Sequence, residues 1–168
     1  MMKRLLSIVF VTSLFLSCQN KAPEKFQIDE ITFSYLGGLR IPYNTVTVYI
    51  RKEYTDSARV IVQSRPLFET PEWRDTKIDT MLKIDVATFE KFATTTESFD
   101  KINIEKADLS GIDGSTWKIE YGAKGKNKSY HFWSPNSETK KRGLEDFVTL
   151  SEDILAVSKL DKKKILED

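Results

Sequence analysis

Thr45-Val-Thr-Val-Tyr-Ile-Arg-Lys52 alternates without a break, with Val46, Val48 and Ile50 on one side and Thr47, Tyr49 and Arg51 on the other. Side chains of an extended chain point to its two faces in turn, so a period of two predicts a strand with one buried face and one wetted face. Thr55-Asp56-Ser57 supplies turn chemistry, and Ala58 to Gln63 returns rich in β-branched residues. The two runs predict a hairpin, and the rest of the chain is read outward from it.

Upstream, Ile31, Phe33 and Tyr35 alternate within Phe26 to Leu36, a third strand, and Gly37-Gly38, Pro42 and Asn44 interrupt it. Downstream, Ser64 to Thr76 holds Pro66, Pro71 and Trp73 and reads as an irregular connection, the kind of segment that carries function. Lys77 to Ile84 is expected as a fourth strand with Ile78, Leu82 and Ile84 on one side. Asp85 then suits the N-cap of a helix, with Ile84 and Phe89 placed as a hydrophobic staple. Val86, Phe89, Phe92 and Ala93 share one face of that helix, and Thr94-Thr95-Thr96 is expected to end it. Ile102 and Ile104 alternate briefly after that.

Asp113-Gly114 opens the next unit: Trp117, Ile119 and Tyr121 alternate with Lys118 and Glu120, a half-buried strand. Gly122 to Asn127 reads as a turn. Lys128 to Trp133 returns with Tyr130 and Phe132 against Ser129, His131 and Trp133, until Pro135 and Asn136 stop it. Leu144, Phe147, Val148, Ser151, Ile154, Leu155 and Ser158 follow the spacing of one helical face, and Lys162 to Lys164 lie where positive charge suits a helix C-terminus. The order is ββββαββα. It predicts the α+β class: an antiparallel sheet of about six strands with two helices packed on one face.

The first residues stand apart from this fold. Lys3 and Arg4 precede an apolar run from Leu5 to Leu16, broken only by Ser7, Thr12 and Ser13. About 20 apolar residues are needed to span a bilayer, so the run suits a cleavable export signal over residues 1–17. Cys18, the single cysteine, follows the small Ser17. A lone cysteine in an exported chain forms no internal disulfide and is left for modification or another molecule.

Phe15-Leu16-Ser17-Cys18 resembles the lipobox of bacterial lipoproteins. The resemblance implies cleavage between Ser17 and Cys18 and attachment of acyl chains such as palmitate to Cys18. Gln19 follows in place of the aspartate that retains some lipoproteins in the inner membrane, so the resemblance favours the outer membrane. Each buried methylene adds about 0.8 kcal/mol, so two or more chains hold a small domain on a bilayer. Residues 18–25 then read as lipidated cysteine and tether, and 26–168 as one domain. Separately, Gly111-Ile-Asp-Gly-Ser-Thr-Trp117 with Phe132-Trp-Ser-Pro135 resembles a pattern of small uncharacterised bacterial lipoproteins, and implies no activity.

Of 26 basic residues, two lie in the leader, so the remainder stand one short of the 25 acidic residues. That balance argues against nucleic acid as a partner, because phosphate binding needs a basic surface. One histidine and one cysteine build no transition-metal cluster, and no other cofactor is expected. Around Asp113-Gly114 an EF-hand register places Leu109 and Gly111 at ligand positions that need side-chain oxygens, so calcium is not expected either.

Trp73, Trp117, Tyr130, His131 and Trp133 are the candidate binding surface, for a glycan or an envelope protein partner, with a packed core and rim as the plainer reading. The function expected is a membrane-tethered, non-enzymatic accessory or binding module of the cell envelope, facing the periplasm or the outer surface. Two alternatives stand beside it. One is a small envelope hydrolase using His131 as base; the other is an immunity or inhibitor-type protein acting through a loop such as Pro66 to Trp73.

Overall fold

The computed structural model describes residues 26–37, 43–53, 55–66, 68, 70, 71 and 77–166. Ser17, Cys18, the tether and Trp73 lie outside these residues.

The alternating runs become strands β1 (Glu30–Gly37), β2 (Thr45–Lys52), β3 (Ser57–Arg65) and β4 (Ile78–Asp85), a meander in which each strand pairs antiparallel with the next. The chain then crosses back through helices and adds β5 (Ser115–Ala123) and β6 (Lys126–Trp133) on the far side of β1. The result is one six-stranded antiparallel sheet of order β4-β3-β2-β1-β5-β6. The expected α+β class and helix placement hold.

Val46, Val48 and Ile50 are fully buried, as the period of two requires, and they share a face with Ile31, Phe33, Val60, Val62, Trp117 and Ile119. Against this face pack α1 (Val86–Thr96), through Phe89 and Phe92, and a longer C-terminal helix, through Phe147, Leu150, Ile154 and Leu155. The opposite face carries Thr32, Ser34, Thr47, Tyr49 and Lys118, each half-buried by its neighbours in the sheet. One apolar and one polar face is the usual economy of an antiparallel sheet with a single helical layer.

The Asp85 cap forms as expected: its carboxylate accepts from the Thr88 amide at 2.7 Å and from the Thr88 hydroxyl at 2.8 Å. Those bonds hold the Asp85 carboxyl below its ordinary pKa. The three threonines form the last residues of α1, which ends at Thr96 as expected. Thr95 returns its hydroxyl to the Lys91 carbonyl and Thr96 to the Ala93 carbonyl, so both stay helical, and a 3-10 segment (Glu97–Lys101) continues the turn. Past Ile102, where the sequence alternates, the chain forms a short helix, α2 (Ile104–Ala107), capped by Asn103 accepting from the Lys106 amide at 3.1 Å.

Two further boundaries differ from the sequence reading. The β5–β6 connection is only Lys124-Gly125, both at positive φ (51° and 80°), a two-residue turn that lets the strands run on to Ala123 and Lys126. The C-terminal helical pattern divides into α3 (Thr139–Arg142), α4 (Glu145–Val157) and α5 (Lys162–Leu166). Lys159 takes φ 59° beyond α4, so Lys162 to Lys164 belong to the separate α5 and do not sit at the end of α4. Lys91 on α1 reaches Asp153 on α4 at 2.8 Å, joining the two long helices at their exposed side.

Candidate functional site

β6 is an edge strand, and a groove of about 640 Å³ runs along it. One bank is β6 itself, from Lys128 to Phe132; the other is the segment carrying Asp100, Ile104 and Asp108. A smaller hollow of about 310 Å³ adjoins it, lined by Phe26, Glu97, Tyr121 and the shared Asp100 and Lys128.

At one end the banks are tied by Asp100. Its carboxylate accepts from Lys128 Nζ at 2.6 Å and from the Tyr130 hydroxyl at 2.9 Å. Tyr130 stacks parallel to Tyr121 at 6.2 Å, and Phe99 meets both rings edge-on, at 5.5 and 6.1 Å. The Tyr121 hydroxyl donates to the Thr96 carbonyl at 3.1 Å, and Lys128 stands 5.1 Å over the Phe26 ring.

Lys128 first, then Tyr130, holds the Asp100 carboxyl below the usual range. Its stabilising effect is therefore present above the ordinary carboxylate pKa and fades as pH falls through the lower folded value. Burial first, then the hydrogen bond to Asp100, pushes the Tyr130 phenol up. That contribution is complete below the ordinary tyrosine pKa of about 10 and fades as pH climbs through the raised one.

At the other end the tie is Arg142, buried at 4 % exposure. Its guanidinium donates through Nε to the Ala107 carbonyl at 2.9 Å and through Nη1 to the Ser134 and Ser137 carbonyls at 2.7 and 3.1 Å. Nη2 reaches the Trp133 carbonyl at 3.0 Å. Burial pushes the Arg142 pKa down, while Asp108 and Glu138 hold it up. One rigid fork thus binds the end of α2 to the exit of β6.

The Asp113 to Trp117 and Trp133 to Pro135 pattern closes the same corner. The Ser134 amide donates to the Ser115 carbonyl at 2.6 Å, and the Ser115 amide donates to the Ser134 hydroxyl at 3.3 Å. The buried Trp117 indole N–H donates to the Ser115 hydroxyl at 2.8 Å. Gly111 and Gly114 lie so close to the Trp133 ring that a Cβ at either would strike it. The pattern is therefore a packing device.

These placements revise the candidate surface. Trp117 is fully buried in the core against Phe33, so it is no part of a binding face, because it shares the sheet's inner face with Ile119 and Tyr121. Trp133 is half-buried beneath the 111–114 loop. Tyr130 and His131 both line the groove, but as neighbours in a strand they face opposite ways: Tyr130 toward Asp100, His131 toward the outer face beside Lys118. His131 is exposed and makes no side-chain hydrogen bond among the described residues. Asp100, Ile104, Asp108, Lys128 and Arg142 complete the site, and the sequence carried no signal that singled them out.

No family model, no curated protein and no solved structure matches this chain. Among the described residues, no helix is long and apolar enough to cross a membrane.

Two variants test the ties. Arg142→Lys is expected to lower unfolding stability by about 2–3 kcal/mol in urea denaturation, because one ammonium cannot satisfy four spread carbonyls. Full stability in the lysine variant would contradict the fork. Asp100→Asn is expected to cost under about 1 kcal/mol, the pair being exposed, yet to bring Tyr130 part-way back toward its ordinary pKa. Ultraviolet titration of the phenolates reads this, with Tyr130→Phe identifying the transition and Tyr49 as the unchanged reference.

Proposed function

We propose that this chain is a membrane-tethered lipoprotein of the bacterial cell envelope, held by acyl chains on Cys18, whose domain is a non-enzymatic binding module. The outer membrane is the favoured location. Its binding site is the groove along β6.

The observation that carries the binding reading is that groove: about 640 Å³, within the range of ligand sites, with polar and apolar groups on both banks and a firm tie at each end. The leader of Lys3, Arg4 and the apolar run, ending in Ser17-Cys18, supports the anchor. Use of His131 as a general base finds less support. A base needs a partner that orients its ring, and Asp100 is engaged by Lys128 and Tyr130 on the other side of the strand.

Intact mass after membrane fractionation, on the wild type and Cys18→Ala, tests the anchor. The expected wild-type species begins at Cys18, is heavier by its acyl chains, and sediments with membranes; Cys18→Ala loses both properties. An unmodified, soluble wild type would overturn the envelope reading.

A further inference from the structure

We propose that the groove accepts an extended segment of another polypeptide, which adds to the sheet as a seventh strand beside β6. The inference rests on reading the groove as the binding site and names its occupant.

The ladder shows which β6 groups are free. The Ser134 amide bonds the Ser115 carbonyl, which fixes that pair as hydrogen-bonded. Stepping by two along the register, Trp117–Phe132, Ile119–Tyr130 and Tyr121–Lys128 are pairs of the same kind. The N–H and C=O of Asn127, Ser129, His131 and Trp133 therefore point away from β5. The Trp133 carbonyl agrees, since Arg142 reaches it from outside the sheet. Among the described residues nothing bonds the outward groups of Ser129 and His131.

Such an edge is a template for another strand unless it is blocked. Here Lys128 projects from the inner face of β6 and is held by Asp100. The bank opposite β6 offers Ile104, 53 % exposed, as an apolar contact. Main-chain bonds to Ser129 and His131 would supply affinity, and the groove-facing side chains selectivity.

Charge narrows the class. Asp100 and Asp108 line the groove on the bank facing β6, with Lys128 the one ammonium among its lining residues. The fitting segment carries apolar and basic side chains on its groove-facing side. A second copy fits worse: antiparallel pairing of two β6 edges puts both helical layers on the same side, bringing Asp100 and Asp108 of each copy into one space.

The probe is a capped hexapeptide in which threonine alternates with valine, lysine and valine, added to the full-length protein in detergent and read by amide hydrogen exchange. With peptide at about ten times its Kd, exchange at the Ser129 and His131 amides is expected to slow roughly tenfold. N-methylation of one alternate set of peptide amides should abolish the effect, and of the other set should not. Ser129→Pro should lose the protection at His131 yet keep its denaturation midpoint, because the lost N–H faces outward.

Unprotected amides at saturating peptide, or equal binding by both N-methylated forms, would overturn strand addition. So would concentration-dependent protection without peptide, which would assign the edge to a second copy. These outcomes are separate from the anchor: a soluble, unlipidated chain overturns the envelope reading and leaves the exchange result standing.

Discussion

Arg142 is the group on which the β6 end of this molecule depends. A guanidinium taken out of water must find acceptors for its donors, and the carbonyls of Ala107, Trp133, Ser134 and Ser137 are the ones it finds. Because those carbonyls belong to different elements, satisfying one side chain fixes the end of α2, the exit of β6 and the entry to α3 together. The groove exists because its two banks cannot drift apart at that corner, and Asp100 performs the same service at the other.

The sheet accounts for the site's position at an edge and not on a face. Its inner face is filled by Phe89, Phe92, Phe147 and Leu150, and its outer face is polar enough to stand in water uncovered. What remains is the margin. Two strands added beyond β1 leave the outer side of β6 without a strand partner among the described residues, and the segment carrying Asp100, Ile104 and Asp108 forms the facing bank of the groove.

The sheet was legible in the sequence because strict alternation over eight residues fits a half-buried strand and breaks the 3.6-residue period of a helix. Val46, Val48 and Ile50 sit where their alternation puts them, and Asp85 caps the helix it precedes. The boundaries that slipped did so where local chemistry was overridden: a short helix capped by Asn103 where Ile102 and Ile104 alternate, and a lysine accepting positive φ to close a two-residue turn. The site was less legible. Tyr130 and His131 were singled out as aromatic and titratable residues, but Arg142 looks no different in sequence from Lys140 and Lys141 beside it. Its role arises only when the fold brings the Ala107 carbonyl beside those of Trp133, Ser134 and Ser137. Trp117 misled for a related reason, because a tryptophan in a half-buried strand is equally suited to a core and to a platform until the opposite layer is known.

The central claim is that β6 presents an unpaired backbone between two ties, and residue-resolved hydrogen exchange on the free full-length protein tests it most directly. Amides bonded across to β5, those of Lys128, Tyr130 and Phe132, should exchange slowly, and those of Ser129 and His131 quickly, giving an alternation along one strand. Uniform protection from Lys128 to Phe132 would mean that the edge is already covered, and would contradict the account.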